Sequence, residues 1–315
     1  MKNRCLYCYE SMKIEKDFHE KCSLEFFGTK EPPEIEYSLD QMDALAKEVI
    51  ERSVSVPGVQ AKLSMSLIKA TKEKSDSRLT VVGALGGQYI LKPPSNKFPE
   101  MPENEHVTMR IAEAFGIQVV PSSLIRLASG ELSYITKRID RTKDGGKIHM
   151  IDMFQITEAF DKYKGSMEKV GKALDSYSDN TMLDKILYFE LALFSFLSGN
   201  NDMHLKNFSM IKNPSGWILA PAYDLLNASI INPEDIEELA LNLDGKKRKL
   251  KRENFEHLGK VLELTNKQIL GVFNRLTKNK HTAIKWIDQS FLSQKMKSAY
   301  KELLKKRYFQ IEKYK

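Results

Sequence analysis

Apolar residues in this chain follow two different spacings, and the change falls near residue 141. Before it, short runs read as strands: 61–68, which alternates in part, then 79–82, 88–92, 123–127 and 132–136. Gly86-Gly87 reads as a hairpin turn ahead of Gln88-Tyr89-Ile90-Leu91-Lys92, and Pro93-Pro94 ends that strand. Leu39, Met42, Leu45, Ala46 and Val49 predict a helix from Leu39 to about Arg52. Val107, Ile111 and Ala114-Phe115 predict another over 105–115, with Asn104 as its cap. Residues 29–38, centred on Glu31-Pro32-Pro33-Glu34, read as a linker. After Arg141 the helical period dominates. It predicts helices over 152–161, 166–176, 181–198, 233–241, 252–263, 266–278, 281–289 and 292–312. One β-hairpin, Phe208–Ile211 with Trp217–Ala220, interrupts them. The plan is α+β and two-lobed, with a β-rich N-terminal part and a helical C-terminal part.

At 315 residues the chain has room for one large or two modest domains with a substantial core. The longest apolar stretch, Ile186 to Leu197, is interrupted by Glu190 and is too short to span a bilayer. No apolar segment follows Met1, so a cytoplasmic protein with no membrane partner is expected. The net charge of +7 suits an anionic partner, or equally a solvated lysine-rich surface. The densest basic run, Lys246 to Arg252, precedes a helix carrying Phe255, Leu258 and Val261-Leu262, so part of it reads as an exposed helix entry.

All three cysteines lie near the N-terminus. Cys5 and Cys8 form a C-x2-C pair, and His19 and Cys22 an H-x2-C pair. Three thiolates and an imidazole suit a small tetrahedral zinc knuckle over residues 1–28, with Phe18, Phe26 and Phe27 packed on it. The alternative is three reduced cysteines in a hydrophobic cluster. In either case the role is structural, because no open ligand position is left for chemistry.

The richest local chemistry lies at Asn201-Asp202-Met203-His204-Leu205-Lys206-Asn207, followed by Pro221-Ala222-Tyr223-Asp224. A carboxylate, an amide five residues on and a second carboxylate beyond a hairpin suit phosphoryl transfer. Asp202 would accept the proton of an attacking hydroxyl, while Asn207 and Asp224 would hold magnesium beside ATP. The plainer reading is a polar loop. Three upstream features favour the nucleotide reading. Lys92 lies on a strand, with Glu105 or Glu103 as an acidic partner on the next helix. The loop Ser53 to Lys62 could cover phosphates with backbone N–H groups, although it has one glycine and no Walker ending. Lys137-Arg138-Ile139 could meet adenine as a hinge, with Asp140 near the ribose.

Together SVPGVQAKLS, YILKP, PENEHVTMRIA, ITKRIDR, GNNDMHLKNFS and APAYDLL resemble the HipA-like serine/threonine kinase toxins. The resemblance runs from Ser53 onward and implies a bilobal protein-kinase-like fold. Its implied divisions are a module at 1–28, an N-lobe at 29–137 and a C-lobe at 138–315. It implies Asp202 as catalytic base, Asn207 and Asp224 as magnesium ligands, and Lys92 on the phosphates. Pro57, Gly58, Val59, Gln60, Ala61 and Lys62 would cover the phosphates, His204 and Lys206 would line them, and Lys137, Arg138, Ile139 and Tyr223 would complete the ATP site. Ala61 departs from relatives that carry an acidic residue there. Ser53 and Ser55 fit the family's autophosphorylation position.

Full-length HipA-like toxins begin with an additional N-terminal subdomain, for which no room is expected here before Ser53. The chain therefore looks like the short HipT form of a HipBST-type toxin–antitoxin system. That resemblance implies a small HipS-like antitoxin, a DNA-binding HipB-like antitoxin and an aminoacyl-tRNA synthetase as substrate, with DNA reached only indirectly. Two other classes remain open from the residues: a nucleic-acid-binding regulator using the basic run, and a metal-dependent hydrolase using Asp202, His204 and Asp224. Lys206 would repel a cation in the latter.

Overall fold

The computed structural model describes residues 3–13, 16–42, 44–45, 62–69, 77–82, 86–95, 97–142 and 144–312. The expectations for Ser53, Ser55, Pro57, Gly58, Val59, Gln60 and Ala61 lie outside the described residues. The chain divides into two compact units.

The first unit comprises Met1–His106, Val120–Lys147 and Gln289–Phe291. Its strands are β1 (Glu34–Ile35), β2 (Leu63–Ile68), β3 (Arg78–Val81), β4 (Tyr89–Lys92), β5 (Ser122–Arg126) and β6 (Leu132–Lys137). They form one sheet in the order β1-β3-β2-β4-β6-β5. Leu63, Met65, Leu79, Tyr89, Leu91, Leu124, Tyr134 and Ile135 are buried and make its core. Helix α1 (Glu20–Phe27) ends at Gly28, whose φ of 75° is left-handed.

Two expectations change here. The linker at 29–38 contains β1, which pairs in parallel with β3 through Glu34↔Arg78 and Ile35↔Leu79. Gly86-Gly87 does not close a hairpin from β3 into β4, because β4 pairs with β2 instead. Gly87 crosses over β2, where a Cβ would sit 2.6 Å from the Met65 carbonyl oxygen. A glycine is required by that close backbone approach, at a φ of 80°.

The second unit comprises Val107–Val119, Ile148–Asp288 and Leu292–Lys315. Its helices are α3 (Met153–Ile156), α4 (Met167–Tyr177), α5 (Thr181–Ser198), α6 (Ala228–Ile231), α7 (Arg252–Val261), α8 (Asn266–Lys278), α9 (Lys280–Gln289) and α10 (Gln294–Ile311). Helix α2 (Met101–Ala114) lies partly in each unit, with residues through His106 in the first. Helix α5 carries Tyr188, Phe189, Leu193, Phe194, Phe196 and Leu197, all buried. Tertiary packing rather than intrinsic propensity holds so apolar a helix.

Three corrections follow. The expected hairpin is a three-stranded sheet, because β7 (Met150–Asp152) pairs with β8 (Ser209–Asn213) beside β9 (Gly216–Leu219). Helix α2 begins at Met101, not at 105, so Asn104 is inside it and donates its N–H to the Glu100 carbonyl at 2.9 Å. Pro102 tolerates that first turn, because its missing N–H would have no partner there. The helix expected at 233–241 does not form. Its backbone is taken by distant partners: the Glu238 N–H donates to the Lys247 carbonyl, and the Glu238 side chain accepts the Leu250 N–H, both at 2.7 Å. Leu239, Ala240 and Leu241 are buried along that non-helical run.

Candidate active site

Asp202 is placed by the end of α5. The helix stops at Gly199 with φ 76°, and a Cβ there would lie 2.6 Å from Asn227 Oδ1. Only glycine fits this turn. The Gly199 carbonyl accepts the Ser229 N–H at 3.1 Å and the Ser229 hydroxyl at 3.0 Å, which ties the turn to α6. Asn200 Oδ1 accepts the Asp202 N–H at 3.3 Å, and its amide donates to the Asp224 carbonyl at 3.5 Å.

The loop then closes on itself. The His204 N–H donates to the Asp202 carbonyl at 2.8 Å, and the Asn207 N–H donates to the His204 carbonyl at 2.9 Å. The buried Asn207 amide donates to the Asp202 carbonyl at 3.2 Å. That bond uses the amide NH2 and orients Asn207 Oδ1, the hard oxygen a magnesium ion prefers. Asp224 has a left-handed φ of 60°, which is unusual for a residue with a Cβ. Its neighbour Tyr223 shares a 2.6 Å hydrogen bond with Ser209 and donates to the Lys206 carbonyl at 2.9 Å. The Tyr223 hydroxyl therefore braces the loop, linking the strand after Asn207 to the residue before Asp224.

Tyr163 donates its hydroxyl to Asp202 Oδ1 at 2.8 Å and stacks edge-on against His204, with ring centroids 5.1 Å apart. Burial raises the Tyr163 pKa, and the Asp202 charge adds to that, so the hydroxyl keeps its proton and remains a donor. Burial lowers the His204 pKa against the opposing pull of Asp202 and Asp224, which favours a neutral imidazole. His204 Nδ1 is buried and has no hydrogen-bond partner among the described residues. Lys206 is exposed, with its ammonium 4.8 Å from the centre of the Phe154 ring. Asp152 lies within reach of the Lys206 charge, and burial raises its carboxyl pKa.

In the first unit, Lys92 Nζ meets Glu105 Oε1 at 2.6 Å with both side chains almost fully buried. Lys92 also lies over the Tyr134 ring at 5.3 Å. Of the two acids considered from sequence, Glu105 is the partner. Helix α2 starts one turn earlier than expected, which leaves Glu105 well inside it and Glu103 in its first turn. The Lys137 N–H donates to the Pro121 carbonyl at 3.0 Å and the Arg138 N–H to the Gln88 carbonyl at 2.8 Å, so both amides bond within the sheet. Asp140 is gripped by Arg138 at 2.7 Å and by Arg141 at 2.5 Å. Burial would raise its pKa, but the two guanidinium groups outweigh that and hold it below the usual range. Lys62 is exposed. Cys5, Cys8, His19 and Cys22 converge, with all four donor atoms within 4.8 Å of one another.

Sequence reasoning missed Tyr163, Asn200 and Asp152. Tyr163 lies 39 residues before Asp202, and no periodicity links the two. Asn200 was visible as a neighbour of the motif, but its tie to Asp224 was not.

The family of HipA-like C-terminal domains matches residues 54–286. A Sinorhizobium fredii protein named "Putative kinase Y4dM" is 32% identical over 235 residues, which are 69% of this chain and 55% of that protein. The Shewanella oneidensis serine/threonine-protein kinase toxin HipA is 28% identical over 213 residues, 61% of this chain and 47% of the toxin. The chain thus spans about half the length of these curated relatives. Its fold is similar to that of Shewanella oneidensis HipA, solved with HipB and operator DNA. The TM-score is 0.67 at 20% identity, over 84% of this chain and 70% of that one. It is also similar to the Helicobacter pylori proinflammatory kinase CtkA, with a TM-score of 0.56 at 16% identity over 79% and 93% of the two chains.

Proposed function

The chain belongs to the HipA-like C-terminal domain family, and from that premise we propose that it is an ATP-dependent protein serine/threonine kinase acting as a toxin. The observation that carries this reading is the closed loop in which Tyr163 holds Asp202 and the Asn207 amide is tied to the Asp202 carbonyl, with Asp224 tethered through Asn200.

In the proposed reaction Asp202 accepts the proton of a serine or threonine hydroxyl. The hydroxyl oxygen bonds to the γ-phosphorus of ATP, the bond from that phosphorus to the bridging oxygen breaks, and ADP leaves. Asn207 and Asp224 supply the oxygen ligands for magnesium, which when bound offsets the phosphate charge. Lys92, oriented by Glu105, binds the phosphates. His204 adds a neutral imidazole, and Lys206 a positive charge at the exposed edge of the loop. The loop of Pro57 to Lys62 covers the phosphates, and the carbonyl of Lys137 and the backbone of Ile139 meet the adenine.

The substrate class follows from the resemblance to HipA-like toxins: an aminoacyl-tRNA synthetase, with Ser53 or Ser55 modified on the chain itself. Phosphate there adds about −1.5 to −2 charges to a segment that approaches ATP and opposes nucleotide binding. A HipS-like and a HipB-like antitoxin are the proposed partners, as in a HipBST-type system, with DNA reached through the latter.

The test is transfer of labelled γ-phosphate from ATP into protein in a cell lysate. Wild type should label one band and itself. Asp202→Gln should label neither, and Ser53→Ala with Ser55→Ala should lose only the self-label. Equal labelling by Asp202→Gln overturns the base assignment. Release of free phosphate without protein label would favour the hydrolase reading instead.

A further inference from the structure

The N-terminal cysteines play no part in the proposed phosphoryl transfer, yet with His19 they form a metal-type cluster among the described residues. Cys5 and Cys22 are buried, and Cys8 and His19 are partly so. His19 Nδ1 lies 3.4 Å from Cys8 Sγ and 3.8 Å from Cys22 Sγ. A tetrahedral zinc ion with Zn–S of ~2.3 Å and Zn–N of ~2.0 Å sets a sulfur and a nitrogen ligand ~3.5 Å apart and two sulfurs ~3.8 Å apart. The cluster is therefore close to ligating dimensions, and the three thiols are free of disulfides.

The backbone around the cluster is that of a knuckle. The Tyr9 N–H donates to the Cys5 carbonyl and the Cys5 N–H to the Glu10 carbonyl, both at 3.0 Å, and Tyr9 turns with a left-handed φ of 62°. His19 caps α1, and the Cys22 N–H donates to the His19 carbonyl at 3.0 Å, which sets the second ligand pair on a helix entry.

This knuckle adjoins the Lys92–Glu105 pair at two places within the first unit. The buried Tyr9 hydroxyl bonds His106 Nδ1 at 2.8 Å, and His106 is the residue after Glu105. Phe26 and Phe27 on α1 pack against Tyr89 with ring centroids 5.9 and 6.1 Å away, and Tyr89 begins the strand that ends in Lys92. Leu6 and Asp17 attach the knuckle to β5, through the Leu124 N–H at 3.3 Å and the Arg126 guanidinium at 2.9 Å.

We propose that Cys5, Cys8, His19 and Cys22 bind a structural zinc ion that fixes the N-terminal module against β4 and the start of α2. The ion thereby positions the Lys92–Glu105 pair. The donor set leaves no open ligand position, so the ion is structural rather than catalytic. Because the thiols must ionise to bind it, loading releases protons.

Metal content of the purified full chain, prepared under reducing conditions, tests the site without any phosphoryl transfer. About one zinc per chain is expected. Replacement by cobalt should give the intense visible bands and sulfur-to-metal charge transfer of a tetrahedral thiolate site. Cys8→Ser and Cys22→Ser should lose the zinc, whereas Cys22→His, which keeps a ligand, should retain it. Chelation of the wild-type protein should lower its melting temperature and weaken ATP-analogue binding, and zinc should restore both. A wild-type chain that stays metal-free after zinc supplementation overturns the proposal. So does a Cys8→Ser chain with undiminished zinc. Metal binding with no kinase activity would leave this site standing and remove the kinase reading; the reverse outcome would separate them the other way.

Discussion

Tyr163 is the residue on which the geometry of Asp202 most depends. Its hydroxyl takes one carboxylate oxygen at 2.8 Å and leaves the other to a substrate hydroxyl. Tyr163→Phe should lower kcat about tenfold, the effect of one misoriented catalytic group, with the KM for ATP nearly unchanged. An equal fall in ATP affinity, measured by steady-state kinetics, would argue for a structural role instead. Glu103 makes a second prediction at this scale. Burial pushes its carboxyl up from the ordinary 4.5 to about 7, with the Glu100 charge adding to the shift. The folded chain therefore binds this proton more tightly than the unfolded chain. The stabilisation is fully present below the unfolded value and is lost as pH rises through the folded one. Glu103→Gln removes that loss. It should leave stability near pH 4 unchanged and raise it above neutrality by about 2 kcal/mol, read as melting temperature against pH.

Among the elements, α5 has two tasks. Its C-terminus delivers Asp202, and its N-terminus holds β9. Buried Asp184 accepts the Ser178 hydroxyl at 2.6 Å and the Leu219 N–H at 2.7 Å. Asp179 accepts the Trp217 N–H at 2.6 Å, next to Gly216, where any Cβ would collide with its carboxylate. One helix thus fixes the strand that leads into Pro221-Ala222-Tyr223-Asp224 and the loop that carries Asp202. Asp184→Ala leaves the buried Leu219 N–H without its acceptor and should cost about 2–3 kcal/mol in denaturant unfolding. An unchanged midpoint would show that β9 is held by its pairing with β8 alone. The 233–241 segment shows how an element can be misread. Its composition favours a helix, but its amides and the Glu238 carboxylate have better partners far along the chain, including the Arg307 guanidinium. Satisfied buried hydrogen bonds outweigh a propensity worth a few tenths of a kcal/mol per residue.

For the whole molecule, the charge of +7 is partly offset by acidic partners at the densest run. Lys247 pairs with Glu237 at 3.1 Å, and Arg252 pairs with Glu256 at 2.6 Å while lying over the Phe273 ring. The isolated chain should therefore show little salt-sensitive binding to duplex DNA. A titration at two salt concentrations with a steep fall in affinity would revive the regulator reading, since each phosphate contact contributes a slope of nearly one. Among the described residues no helix is long and apolar enough to cross a membrane. The local features were legible in the chain itself. The five runs read as strands in the first unit became β2 to β6, and the helical periods at 166–176, 181–198, 252–263 and 266–278 became α4, α5, α7 and α8. The D-x4-N loop, the strand lysine and the Cys/His spacing were also visible, because short-range spacing sets local backbone form and which side chains share a turn. Tertiary structure decided the rest: the β2–β4 pairing, the third strand of the small sheet, Glu105 over Glu103 as the partner of Lys92, and Tyr163 as the partner of Asp202. Each of these joins residues 13 or more positions apart, where no period along the chain links the partners and only packing and the pairing of buried polar groups select them.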